Sequence, residues 1–195
     1  MSMPAKETGM TDQPLTDKER TLPEHLGGHF GNTNMDIPTL DYLANRYAIH
    51  SMLDVGCGPG GMIDAARARG IDCVGIDGDY TIEHPYMTHW DYTTAPLIWG
   101  QKEDLIWCTE FVEHVAIEHT PNYLATFACG RVLFLTAAPP GFPGWHHVNC
   151  QPDWHWIGLL GVWGWQLDGD ATEWVRANGG HVFSQRQGLV FTRGT

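Results

Sequence analysis

The chain has 195 residues, 43% apolar and 17% charged, which suits one well-buried core but leaves no room for a complete dinucleotide fold plus a separate substrate domain. Its 23 acidic against 11 basic residues give a formal charge of -12, so no extended nucleic-acid surface is expected. No apolar run reaches membrane-spanning length, no secretion signal opens the chain, and the five cysteines follow no CxxC spacing, so a cytoplasmic protein with reduced, mostly buried thiols and no membrane partner is expected.

Residues 1–22 mix Pro, Thr, Gly, Lys and Glu without apolar periodicity and are expected to form a flexible tail. PEHLGGHFGNTNMD follows, with His25 and His29 around Gly27-Gly28 and then Asn32 and Asn34. Such a run of short polar groups reads as a loop, either a surface connection or a cover over a binding site. Residues 38–48 carry Leu40, Leu43, Ala44 and Tyr47 on one stripe behind Pro38 and predict an amphipathic helix. Residues 23–48 are thus expected to lie over a domain spanning 49–195.

The stretch SMLDVGCGPGGM reads as a buried strand, a glycine turn and a helix start. Asp54 ends the strand, Gly56, Gly58 and Gly60 leave room for a ligand against backbone, and the amides opening the helix over 61–69 face that ligand. Gly56, Gly58 and Gly61 also fit GxGxxG, a weak pattern alone. A second strand, Cys73 to Ile76, ends at Asp77, where a carboxylate can accept both hydroxyl hydrogens of a ribose. Pro85 predicts a loop, and MTHWD supplies a short third strand ending at Trp90 and Asp91.

A fourth strand over 104–108 leads to Glu110 at the sheet mouth. Glu110, Glu113 and Glu118, with His114 and His119, raise a metal reading. Adjacent Glu113 and His114 diverge on a helix, however, and no recognised spacing is present, so no metal is expected. The fifth strand covers 131–138, and the loop after it crowds Trp145, His146, His147, Asn149, Gln151 and Asp153 together. PDWHWIGLLGVWG predicts a capped helix, Gly164–Leu167 a sixth strand, 170–178 a helix, and VFSQRQGLVFT two strand-like pieces.

Residues 54–60 match every fixed position of acidic-x-Gly-x-Gly-x-Gly, and residues 49–193 resemble in order the class I S-adenosylmethionine-dependent methyltransferases. The EFVEH and HHVNCQ elements are similar to those of small phage-like and bacterial members, some associated with sugar modification. The resemblance implies a single Rossmann-like α/β sandwich, its seven-stranded sheet mostly parallel with an antiparallel last strand. It implies S-adenosylmethionine as cofactor, with Gly56, Gly58 and Gly60 along the methionine part and Asp54 and Cys57 in the same turn. Asp77, followed by Gly78, would hold the ribose, Asp91 would face the adenine amino group, and Trp90 or Tyr92 would lie beside the ring. Glu110 would contact the methionine amino group or a substrate hydroxyl.

The implied reaction is methyl transfer to a small polar acceptor, an oxygen of a sugar, nucleotide or related metabolite. The alternative is a noncatalytic cofactor-binding or partner protein on the same fold. A hydroxyl acceptor needs a base, and His146 and His147 lead, with Asn149 as orienting partner and Glu110 as competitor. Alternation in an extended segment points at most one of the two histidines into the site. Tryptophans 154, 156, 163 and 165 exceed the needs of one short helix, so a monomer or weak homodimer is expected.

Overall fold

The computed structural model describes residues 22–194; the tail expected over 1–22 lies, but for its last residue, outside the described residues. Seven strands form one sheet: β1 (Ser51–Val55), β2 (Asp72–Asp77), β3 (Met87–His89), β4 (Glu103–Thr109), β5 (Gly130–Thr136), β6 (Gln166–Leu167) and β7 (Leu189–Thr192). Their order is β3-β2-β1-β4-β5-β7-β6, parallel except for β7, which pairs antiparallel with both β5 and β6. This is the Rossmann-like sandwich expected of the sequence.

Alternation along the strands divides the core in two. On β4 and β5, Leu105, Trp107, Val132 and Phe134 face one layer while Ile106, Cys108, Leu133 and Leu135 face the other. The first layer holds helices α1 (Ile37–Tyr47), α2 (Gly61–Arg67) and, after β6, α5 (Gly169–Asn178), through Leu40 and Leu43, Met62 and Ile63, Ala171 and Val175. The second holds α3 (Thr120–Phe127) and α4 (Asp153–Val162), through Tyr123, Leu124, Phe127, Trp156 and Leu160. Helix α1 starts where Asp36 accepts from the Thr39 amide at 3.0 Å and from its hydroxyl at 2.8 Å.

At the sheet end where β1, β4 and β5 begin, the Arg131 guanidinium donates to Tyr47 O and Ala48 O, at 2.7 and 3.0 Å, and to Asp104 at 2.8 Å. Asp104 in turn accepts the amides of His50 and Ser51.

Two sequence expectations are corrected. Residues 182–187 form helix α6 (Val182–Gln187) rather than a strand piece: His181 accepts from Phe183 N, and the helix turns Ser184 and Gln187 inward before Gly188 releases β7. The α4 helix lacks a side-chain cap, because Pro152 stands at its N-cap position; Asp153, the first helical residue, accepts from Arg176 at 2.7 Å. Of the four tryptophans considered for self-contact, Trp156 and Trp165 enter the core and Trp163 packs against it, which leaves only Trp154 outward, 73% exposed. All five cysteines are unpaired, four of them buried, and among the described residues no helix is long and apolar enough to cross a membrane.

Candidate functional site

The carboxyl ends of the parallel strands open into a cavity of about 660 Å³, within the range of roughly 300–1,000 Å³ usual for small-molecule sites. Its floor is the turn between β1 and α2. Gly56, Gly58 and Gly60 all take left-handed backbone, with φ of 78°, 50° and 89°. The Gly56 and Cys57 amides donate to Ile76 O at 2.8 and 3.2 Å, tying the turn to β2.

Asp77 Oδ2 accepts from Gly58 N at 2.7 Å and its Oδ1 from Asp79 N at 2.8 Å. Each oxygen keeps a lone pair free. Burial raises the Asp77 carboxyl, and the Asp79 and Gly58 amides work against that rise. Asp54 is 2% exposed, and its Oδ2 has no hydrogen-bond partner among the described residues. Burial, then the Asp77 charge, pushes its pKa up to about 8.

Asp91 follows β3. Its Oδ1 accepts from Thr93 N and Oγ1 at 2.8 and 2.7 Å, and its Oδ2 accepts from His25 Nε2 at 2.9 Å. Burial acts to raise Asp91, but the bonds from His25 and Thr93 outweigh it and hold the carboxyl below its usual range. Trp90 and Tyr92 flank it, the Tyr92 hydroxyl donating inward to Thr126 at 2.9 Å.

The opposite wall begins at Glu110, another left-handed residue with φ of 51°, whose Oε1 accepts from the Thr136 hydroxyl at 2.8 Å. Burial raises its pKa to about 7 against the bonds from Thr136 and Glu113. A single 3-10 turn, Val112–His114, then carries Glu113 and His114. Glu113 is 0% exposed; Oε1 accepts from Ala138 N at 3.0 Å, and Oε2 has no partner among the described residues. Its backbone oxygen accepts both Val148 N and Asn149 N at 3.0 Å, which docks the 139–149 loop on this turn.

That docking brings His147 to His114, their ring centroids 5.0 Å apart. His114 Nδ1 donates to Trp145 O at 2.8 Å and His147 Nδ1 to Phe142 O at 2.9 Å, so both rings keep an Nε2 lone pair. Burial first, then His147, lowers the His114 pKa to about 4. One ligand atom each from Glu113, His114 and His147 lie within 4.8 Å of one another. The divergence argued from helical geometry does not apply here, because the tight turn and the returning loop converge these side chains.

Of the residues singled out in the sequence, Asp54, Gly56, Cys57, Gly58, Asp77 and Gly78 line the cavity on one side, with Trp90, Asp91 and Tyr92 beyond them and Glu110 and His147 opposite. Gly60 and His146 do not line it. A Cβ on Gly60 would meet the His84 ring at 2.8 Å, and His146, with φ of 44°, turns its ring towards His25. Asn149 orients no histidine: it is buried, donating to Val112 O at 3.4 Å and accepting from Gln151 at 3.2 Å. The helix-opening amide of Gly61 faces no ligand either, since it donates to Thr33 Oγ1 at 3.1 Å.

Sequence reasoning missed Phe111, whose ring stands where a Gly56 Cβ would be. It also missed the convergence of Glu113 and His114; the nearest signal was the density of acids and imidazoles in EFVEH.

No protein-family model and no curated protein matches the chain. Among solved structures, the sugar N-methyltransferase KedS8 from Streptoalloteichus sp ATCC 53650 is similar with a TM-score of 0.60 at 14% identity, covering 80% of this chain and 85% of that one. Magnesium protoporphyrin IX methyltransferase (ChlM) from Synechocystis PCC 6803 with bound SAM gives 0.55 at 18% identity, covering 81% and 79%. The methyltransferase domain of bacterial CtHen1 gives 0.54 at 11%, covering 80% and 96%. The likeness is one of fold, the class I Rossmann-like methyltransferase fold.

Proposed function

We propose that the chain transfers the methyl group of S-adenosylmethionine to a hydroxyl oxygen of a small polar acceptor, a sugar, nucleotide or related metabolite. The observation that carries this reading is one cavity with two chemically distinct walls. One wall has three carboxylates at the strand ends around a glycine turn; the other has Glu110, His114 and His147, with the buried Glu113 behind them. The orphaned Oδ2 of Asp54 also suits a cationic or donor group such as the methionine ammonium. The similar fold of ChlM, solved with SAM, and of KedS8, a sugar N-methyltransferase, is in keeping with it.

In this reading Gly56, Cys57 and Gly58 bring backbone to the methionine part, with Asp54 and Glu110 on its ammonium. Asp77 beside Gly78 accepts the ribose hydroxyls, and Asp91 with Trp90 and Tyr92 receives the adenine. Gly60 serves the turn. The cofactor supplies a methyl already activated on a sulfonium, so the chain has to align the acceptor and remove its proton. His147 is the base, through the Nε2 lone pair left by its Nδ1 bond to Phe142 O. Glu110 is the competitor, since burial raises its pKa to about 7, which suits a general base.

A second reading, favoured by three convergent acceptor atoms and an unpartnered Glu113 Oε2, gives the cluster a divalent cation. Glu113, His114 and His147 would hold it, and its charge would stabilise the acceptor oxygen as the proton leaves.

Calorimetry with S-adenosylhomocysteine, followed by labelled methyl transfer into sugar and nucleotide pools with and without chelator, tests the proposal. Binding with labelled oxygen-methyl product supports it, and loss of product on chelation with recovery on added Mg²⁺ or Mn²⁺ selects the second reading. Binding without product across the pools favours a noncatalytic cofactor-binding protein, and no binding refutes the proposal.

A further inference from the structure

The segment ahead of α1 crosses the cavity rather than the outer surface, and it is anchored on both walls. Residues 25–30 and 32–34 line the cavity on that side, Trp145 Nε1 donates to Glu24 O at 2.9 Å, and Thr33 Oγ1 accepts from Gly61 N. The fit is steric as well as polar. A Cβ on Gly58 would lie 3.3 Å from His29 Cβ, a Cβ on Gly78 would run into the Leu26 side chain, and one on Gly28 would meet the Trp145 ring at 2.8 Å. Gly58, read as ligand space, and Gly78, placed beside the carboxylate proposed to hold the ribose, are thus also seats of this strap.

Its two histidines reach the carboxylates at the ends of β3 and β2. His25 Nε2 donates to Asp91 Oδ2 at 2.9 Å. His29 accepts from Gly31 N on Nδ1 at 2.9 Å, which leaves its Nε2–H to donate to Asp79 Oδ2, also at 2.9 Å. Asp79 is 0% exposed and holds Thr81 N and Oγ1 on its other oxygen, while its own amide donates to Asp77 Oδ1. The chain of bonds therefore runs from His29 through Asp79 to Asp77 and on to Gly58 N.

Counting lone pairs gives these bonds a meaning. A carboxylate offers about four acceptor sites. Asp91 has three filled, two by Thr93 and one by His25, and the remaining one matches a single N–H donor. Asp77 has one filled on each oxygen and one open on each, matching two adjacent hydroxyls.

Resting on the S-adenosylmethionine reading above, we infer that the strap is part of the cofactor site. His25 is a positioning residue that turns the last lone pair of Asp91 toward the adenine amino group, and His29 braces Asp77 for the ribose through Asp79. Affinity for the adenosine end, and its discrimination against a base with an oxo group at that position, is then set by a segment outside the sheet-and-helix core. An oxo group would place a second acceptor against the Asp91 oxygen, and neither could donate.

The test measures binding of S-adenosylhomocysteine and of its deaminated analogue S-inosylhomocysteine to the full chain by calorimetry. It compares the parent with His25→Ala, His25→Phe and His25→Gln, each checked for folding by thermal melting. Ala and Phe should bind S-adenosylhomocysteine about tenfold more weakly and narrow the preference for adenine over hypoxanthine, whereas Gln, which retains an N–H, should recover most of both. Phe keeps the ring packing without the donor, so it decides the matter if the Ala protein does not fold. A folded His25→Phe protein with parental affinity and parental base preference overturns the inference while leaving the cofactor reading intact. A parent protein that binds neither compound overturns both.

Discussion

Gly58 is where turn, strap and carboxylate meet, and replacing it tests all three. Its φ of 50° is left-handed, a conformation that costs an ordinary residue about 1–2 kcal/mol. An added Cβ would stand 3.3 Å from His29 Cβ, a contact that asks the strap to give by a few tenths of an ångström. Gly58→Ala should therefore destabilise by about 1–2 kcal/mol, lowering Tm by about 2–8 °C for a domain of this size. Gly58→Val adds branching in a region such residues avoid and should cost about 3 kcal/mol. Because Gly58 N holds Asp77 at 2.7 Å and His29 reaches Asp77 through Asp79, the strain should pass into the Asp77 carboxylate proposed to hold the ribose. S-adenosylhomocysteine should bind the Ala protein several-fold more weakly and the Val protein barely at all. Melting curves and calorimetry on the same preparations give both readouts. A folded Val protein with parental Tm and parental affinity would refute the steric reasoning and the cofactor role of the turn together.

Asp77→Ala should weaken S-adenosylhomocysteine binding by on the order of a hundredfold, since two hydroxyls lose a charged acceptor, and unchanged calorimetric affinity would remove the ribose role. With an oxygen acceptor in hand, His147→Gln should lower turnover by on the order of a hundredfold and lose the ascending pH limb, with His146→Gln near parental. The opposite order in saturating-cofactor rates would reject His147 as base, and a selective loss in Glu110→Gln would transfer the role there. The folded-state pKa of Asp54, near 8, is raised above its unfolded value, so its contribution to stability is fully present below about pH 4 and is lost as pH climbs through 8. Asp54→Asn should flatten that share of the decline, worth on the order of a few kcal/mol, and its Tm should fall less between pH 5 and 9 than the parent's; parallel melting profiles would contradict the buried, unpartnered carboxylate.

The frame was legible because its signals are local. Continuous apolar runs on β4 and β5, the glycine turn after Val55, and Asp77 and Asp91 at strand ends all follow from burial on both sheet faces, turn chemistry and the placing of ligands at strand mouths. Helix α6 was not legible, because its inward positions are Ser184 and Gln187 and VFSQRQ carries no apolar stripe to set against its β-favouring start. The cluster of Glu113, His114 and His147 was beyond the sequence for another reason: it depends on one carbonyl, Glu113 O, catching two amides from a loop more than thirty residues away. The His29–Asp79 contact likewise spans 50 residues and leaves no trace in spacing. His146 and His147 lay between these cases, since alternation says that one faces inward but not which.

The Arg131 knot, remote from every group discussed above, bears on how far this protein can be remodelled. One guanidinium on β5 terminates α1 and, through Asp104 on β4, holds the start of β1, so four chain segments are spliced at the pole of the sheet away from the cavity. The register of β1, β4 and β5 is thus held at the pole away from the cavity, so a change in a cavity loop leaves that splice untouched. The fold in effect has a rigid hilt and an interchangeable edge.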